Sequence, residues 1–211
     1  MQKRIMVLGG SFNPPTLAHQ RLLLGVVNAM GADRGIFVPS SHQYVSRKMG
    51  RAKRAGEVLS QDIRLRMLQA MCADDPRLET QDCEFDRQGK WYTYETMEWI
   101  QERYPDARIC FLVGGDKVSV IARWHRIREF LDRFEIVVVK RDGDDPEKIL
   151  SEHPFLSRYR DRFCVVSAPE GLEDISSTAV RDLLRDGKPG AEKLVHPAVW
   201  QMLVENGGMW K

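Results

Sequence analysis

Five short apolar runs recur along the chain, at residues 5–8, 36–38, 109–113, 136–139 and 163–166. They are rich in branched side chains and nearly continuous rather than alternating, which is the pattern of strands covered on both faces. Between and after them, apolar residues return every three or four positions at 17–30, 61–73, 93–103, 127–134, 178–185 and 198–205. Each of these segments predicts an amphipathic helix. Alternation of strand and helix predicts an α/β fold built on a doubly wound parallel sheet with helices on both faces. Asp142, Gly143, Asp144, Asp145 and Pro146 form a turn cluster, and Gly187-Lys188-Pro189-Gly190 stops a helix. The expected organisation is one domain, 1–211, with a core at 1–186 and a C-terminal helical cap at 187–211. Residues 40–60 show no period. They hold Arg47, Lys48, Arg51, Lys53 and Arg54, and they predict a mobile basic flap that closes over phosphate.

Composition narrows the function classes. Hydrophobic residues make up 43% and charged residues 29% of the 211-residue chain, and the formal net charge is +2. That near balance argues against a nucleic-acid coat protein or a membrane-surface protein. The four cysteines, Cys72, Cys83, Cys110 and Cys164, make no C-x-x-C pair and lie mostly in apolar runs. They read as reduced core residues rather than a disulfide scaffold or a metal site. No apolar run approaches membrane-spanning length and none reads as a secretory leader, so the expected location is cytoplasmic. A homo-oligomer is compatible with these features.

The chemistry concentrates at two predicted helix starts. The first is Gly9-Gly10-Ser11-Phe12-Asn13-Pro14-Pro15-Thr16-Leu17-Ala18-His19, between the first strand and the first helix. Paired glycines let backbone approach a ligand, and backbone N–H groups at a strand-to-helix junction suit an anion. Thr16 is placed as an N-cap. His19 follows three residues later on the same side, where it can donate a hydrogen bond to a phosphate oxygen. The second start is Ile175-Ser176-Ser177-Thr178-Ala179-Val180-Arg181. Its serines can cap, Thr178 offers donors, and Arg181 lies on the same face with a planar fork for phosphate. Two such sites suggest chemistry on a nucleoside triphosphate. A dinucleotide-binding dehydrogenase is a poor alternative, because Gly9-Gly10-Ser11 does not spell G-x-G-x-x-G.

Taken together, the two segments resemble the signatures of the nucleotidyltransferase superfamily, (His/Thr)-x-x-His and Ile-Ser-Ser-Thr-x-x-Arg. Within it the chain is most similar to nicotinate- or nicotinamide-mononucleotide adenylyltransferases. Trp91-Tyr92-Thr93-Tyr94-Glu95-Thr96 resembles their Ser-Tyr-Thr-x-Asp-Thr segment, and Gly114-Gly115-Asp116 resembles their Gly-Ala-Asp strand end. Trp124 and Arg141 stand where that family has a tryptophan and an arginine. The chain departs from the commoner pattern with Thr16 and Ala18 in the histidine motif and with Gly115 for alanine. It also has only a loose Ser40-Ser41-His42 and Arg47-Lys48 in place of Pro-Pro-His-Lys.

The resemblance implies a Rossmann-like fold and adenylyl transfer from ATP to a pyridine mononucleotide in NAD biosynthesis, with Mg²⁺ carried on the ATP phosphates. It assigns His19, Thr16 and Arg181 to catalysis. It assigns Gly9, Gly10, Ser11, Phe12, Lys48, Ser177 and Thr178, with His19 and Arg181, to ATP. Asn13, Trp91, Tyr92, Thr93, Thr96, Gly114, Asp116, Trp124 and Arg141 fall to the mononucleotide. Alternatives are another transferase of the superfamily, such as one acting on phosphopantetheine, or a homologue that senses nucleotides without catalysis.

Overall fold

The computed structural model describes residues 2–85, 91–141, 143 and 145–206. Its elements in chain order are β1 Arg4–Gly10, α1 Leu17–Ala29, β2 Arg34–Pro39, α2 His42–Arg51, α3 Gln61–Cys72, β3 Leu78–Thr80, α4 Thr93–Arg103 and β4 Arg108–Gly114. There follow α5 Val118–Ile121, α6 Ile127–Arg133, β5 Glu135–Lys140, α7 Pro146–Glu152, β6 Phe163–Ser167, α8 Ser177–Arg185 and α9 Pro197–Glu205.

The six strands form one sheet in the order β3-β2-β1-β4-β5-β6, and every pairing is parallel. The continuous apolar runs are explained by cover on both faces. Ile5 and Val7, Ile36 and Val38, Ile109, Ile136 and Val138 join one core cluster with Met97 and Ile100 of α4, Phe130 and Leu131 of α6 and Leu150 of α7. Their strand neighbours Met6, Phe37, Leu112, Val137 and Val139 join a second cluster with Leu23 and Val26 of α1 and Leu68 and Met71 of α3. Period-two alternation thus carries apolar residues to both sides of the sheet. A smaller third cluster ties α3 to α8 and α9 through Met67, Val180, Val199 and Leu203.

Chain order reverses between β1 and β4, which are neighbours in space although β1 is followed in sequence by β2. In open parallel sheets ligands bind in the crevice above the carboxyl ends of the strands at such a reversal. The Gly9–His19 segment leaves β1 at that point, and Gly114 ends β4 beside it.

Three elements depart from the sequence expectations. Residues 42–51 form a helix, not a flap without structure. The Ser41 hydroxyl caps α2 by accepting the Tyr44 N–H at 3.3 Å, and Val45 and Met49 are its buried side. Two apolar positions among so many charges left the helical period too faint to read. The cluster at 142–146 includes the start of α7. Asp145 accepts the Lys148 N–H at 3.1 Å and Pro146 occupies the first turn, where its missing N–H costs nothing; Asp142 and Asp144 lie outside the described residues. Strand β3 is three residues on the sheet edge, too short for any period to show.

Candidate functional site

The carbonyl groups of the turn after β1 are held from four directions. Gly10 C=O accepts the Ser40 N–H at 2.8 Å. Ser11 C=O accepts from Arg64 Nη1 at 2.8 Å, Asn13 C=O from Arg181 Nη1 at 2.6 Å and Pro14 C=O from the Ser177 hydroxyl at 2.7 Å. In a trans peptide the N–H points opposite to the C=O. With the Gly10 and Ser11 carbonyls turned into the protein, the Ser11 and Phe12 N–H groups face the other way. Arg64 contributes from the core. It is fully buried on the apolar stripe of α3, and its other fork arm donates to Ser40 C=O at 2.7 Å. Burial lowers its pKa to about 10, opposed by the charge of Glu84.

Phe12 has a left-handed backbone, φ 44°, which is uncommon for a bulky residue. Its buried ring folds back over Gly10. A Cβ on Gly10 would stand 3.0 Å from the ring, so any larger residue there would push the ring aside. The same ring meets His19 edge-on, with centroids 5.1 Å apart and planes at 75°.

His19 is oriented by its own helix start. The Thr16 N–H donates to Nδ1 at 3.0 Å, and Thr16 Oγ1 lies 2.8 Å from the same atom. A backbone N–H can only donate, so Nδ1 is the acceptor and the neutral ring carries its proton on Nε2. Burial first, then the charges of Arg141 and Lys48, push the His19 pKa down to about 4. At neutral pH His19 therefore presents an uncharged Nε2–H donor. The first turn of α1 is less open to a ligand than its position suggests, because the Leu17 N–H is taken by Leu194 C=O at 3.0 Å.

The second helix start is oriented as expected. Ser176 Oγ caps α8 through the Ala179 N–H at 3.1 Å. Arg181 is buried rather than a surface residue. It donates to Thr178 Oγ1 at 3.0 Å and lies 3.3 Å from Glu57 Oε2. Burial, with the nearby Arg54, lowers its pKa.

These groups line one cavity of about 820 Å³, whose walls include Gly10, Ser11, Phe12, His19, Lys48 and Arg181. Asn13, Ser177, Thr178 and Arg141 line it too, as does Lys140. Lys48 reaches from α2 to Ser11 Oγ at 3.3 Å, and burial, with Lys117 and Arg181 nearby, lowers its pKa. Its far wall is the 168–175 connection, which packs so closely on α1 that a Cβ on Gly25 would lie 2.6 Å from Pro169 Cγ. The balance of charge at these walls favours an anion.

The residues expected at the mononucleotide divide. Arg141 lines the cavity. Asn13 also does, but its buried amide clamps another segment, donating to Glu57 C=O at 2.7 Å and accepting the Leu59 N–H at 2.8 Å. Gly114 and Asp116 sit at the β4 end, where Asp116 pairs with Lys117 at 2.6 Å. Thr93 begins α4. Thr96 is buried, accepts from Trp91 Nε1 at 2.8 Å and donates to Glu84 Oε1 at 2.9 Å. Burial raises the Glu84 pKa to about 7. Tyr92 stacks on His125 at 4.4 Å. Trp124 meets Phe111 and Phe130 edge-on, so one side of its ring belongs to the core. Gly9 lies within β1, where a Cβ would stand 3.3 Å from the Phe111 ring.

Sequence reasoning missed Arg64, Glu57 and Lys140, and it named Arg54 only as one of the basic residues of the expected flap. Arg64 carried a signal, an arginine in register with Met67, Leu68 and Met71 on an apolar helix face. Glu57 carried none.

A phosphate-directed cavity at the chain reversal of a parallel sheet, built from these two helix starts, is the architecture of a nucleotidyltransferase. The cytidylyltransferase-like family matches residues 7–183, and the chain belongs to that family. A probable nicotinate-nucleotide adenylyltransferase of Lactiplantibacillus plantarum is 31% identical over 186 residues, 88% of this chain and 78% of the relative. A protein of the same description from Enterococcus faecalis is 33% identical over 186 residues, 88% of this chain and 76% of the relative. The fold matches Plasmodium falciparum nicotinic acid mononucleotide adenylyltransferase, solved with APC, at a TM-score of 0.74 and 18% identity, over 98% of this chain and 97% of that one. The same enzyme with NaAD gives a TM-score of 0.74 at 19% identity, again over 98% and 97%. Among the described residues no helix is long and apolar enough to cross a membrane.

Proposed function

We infer that this enzyme transfers the adenylyl group of ATP to nicotinate mononucleotide, giving the dinucleotide and pyrophosphate. The observation that carries this reading is the joining of the two signatures. Ser177 and Arg181 bond to Pro14 and Asn13 across 163 and 168 positions of sequence, so both line one anion cavity.

An oxygen of the mononucleotide 5′-phosphate attacks the α-phosphorus of ATP. The bond from that phosphorus to the bridging oxygen of the β-phosphate breaks, and pyrophosphate leaves with the electron pair. The nucleophile is already anionic, so no general base is needed, and catalysis is positioning plus charge stabilisation. His19 Nε2–H and the Ser11 and Phe12 N–H groups hold the α- and β-phosphate oxygens, with Thr16 orienting the imidazole. Thr178, Arg181 and the α8 N-terminus hold the β- and γ-phosphates, and Lys48 closes from α2. Arg141, Gly114, Asp116 and the Trp91–Tyr92–Thr93 segment serve the mononucleotide side, with Trp124 offering the outer part of its ring. Mg²⁺ fits this site only as a passenger of ATP, because the cations Lys48, Lys140, Arg141 and Arg181 at the walls would repel a bare divalent ion. There it would supply charge neutralisation of the polyphosphate.

The test is turnover with ATP and nicotinate mononucleotide, read as pyrophosphate release, against nicotinamide mononucleotide as acceptor and CTP as donor. Turnover with ATP and the nicotinate substrate at the highest kcat/KM is expected. Activity with CTP alone, or with neither pyridine, overturns the reading.

A further inference from the structure

Arg181 does not stand alone at the cavity wall. Glu57, on the connection between α2 and α3, places Oε2 3.3 Å from Arg181 Nε. The same carboxylate accepts from Arg54 Nε at 2.6 Å, and its Oε1 lies 3.5 Å from Arg185 Nη1. Arg54 reaches on to Asp182 Oδ1 at 2.6 Å, which also pairs with Arg185 at 3.0 Å. Three guanidinium groups thus share two carboxylates, and the one nearest Arg181 is nearly buried, its side chain 16% exposed.

The contact to Arg181 is close but poorly directed. Arg181 Nε is buried and, among the described residues, has no acceptor in line with its N–H. A buried donor left so is costly, and an oxygen able to meet it in line gains that contact. Arg54, by contrast, holds Glu57 with good geometry, so the carboxylate keeps a partner when Arg181 turns to another anion.

We propose that Glu57 is a competing anion for Arg181 that sets how tightly the enzyme holds the polyphosphate of ATP and, after transfer, pyrophosphate. This rests on the reading that Arg181 meets the polyphosphate. A carboxylate beside the guanidinium lowers the positive potential felt by the β- and γ-phosphates and offers Arg181 a partner as pyrophosphate departs. The site then grips ATP less firmly than its cations alone allow, and it lets the product go sooner. Glu57 touches no substrate in this scheme and acts through Arg181 as a positioning residue. Its backbone carbonyl, which anchors Asn13, is untouched by side-chain substitution.

The experiment is Glu57→Gln, which keeps the shape and removes the charge. Pyrophosphate binding is read by calorimetry on the full chain, and steady-state kinetics are measured alongside. Expected are a fall in pyrophosphate Kd and in KM for ATP, each on the order of three- to tenfold, with the mononucleotide KM unmoved. The gain should vanish when Glu57→Gln is made in an Arg181→Ala background. Unchanged or weakened pyrophosphate binding overturns the proposal, and so does a gain that survives without Arg181. The pyrophosphate titration needs no mononucleotide, so failure of both pyridines to react would sink the functional reading while leaving Glu57 to be judged on its own.

Discussion

His19 shows how much one side chain depends on its immediate neighbours. Thr16 fixes its tautomer, the Phe12 ring fixes its plane, and burial beside Arg141 and Lys48 keeps it neutral. His19→Ala should lower kcat by on the order of 10²–10³ while circular dichroism and melting temperature stay near wild type, because one preorganised donor to the transferring phosphate is lost. Retained turnover would remove His19 from the mechanism. Arg181→Lys should raise KM for ATP and lower kcat, since lysine keeps the charge but cannot reach Asn13 C=O and Thr178 together; wild-type values for both would refute the clamp. Glu84 gives a test by pH. Its folded pKa, raised to about 7, lies above its ordinary value, so its contribution to stability is complete below the ordinary carboxylate range and is lost as pH rises toward 7. Glu84→Gln should therefore flatten the fall in melting temperature between pH 5 and 8. An identical pH profile in the variant would show that Glu84 does not titrate in this window.

At the scale of elements, what the sequence revealed depended on period. Strands β1, β2, β4, β5 and β6 were legible because both faces are buried, which makes each a short, dense apolar run. Helices α1, α3, α4 and α8 were legible because apolar spacing and capping residues agree. Helix α2 was not, since Lys48 and its basic neighbours outnumber Val45 and Met49. The two signatures were plain from residue order. The role of Asn13 as a clamp, and the hold of Arg64 on Ser11, depend on contacts between distant segments that no local pattern encodes. Helix α2 still gives a prediction. It has two buried residues where α3 has five, so its opening should cost less than that of α3. Amide exchange at 42–51 should be intermediate without ligand and slower with ATP, as Lys48 gains a phosphate partner. Exchange unaffected by ATP would show that α2 takes no part in binding. Gly25→Ala should displace the Pro169 connection and raise KM for ATP severalfold with the mononucleotide KM unchanged; an unaltered ATP KM would show that this wall can yield.

For the molecule as a whole, the site is the meeting point of segments remote in sequence, and the cavity gathers Lys48, Lys140, Arg141 and Arg181 on a chain whose net charge is only +2. The basic residues around that cavity repel one another when it is empty, so any polyphosphate that fills it should stabilise the whole fold. Melting temperature should rise with ATP or pyrophosphate roughly as the logarithm of ligand concentration above Kd, and the rise should shrink at high salt; a salt-independent shift would argue against charge as its source. The four donors that hold the carbonyls of the turn after β1 come from Ser40, Arg64, Ser177 and Arg181. A ribosome releases Gly10 and His19 early, yet the last two of those donors emerge more than 150 residues later. Until they arrive, the Asn13 and Pro14 carbonyls lack these donors and Arg181 is missing from the cavity, so a growing chain that bears the whole histidine motif holds only part of its proposed grip on phosphate.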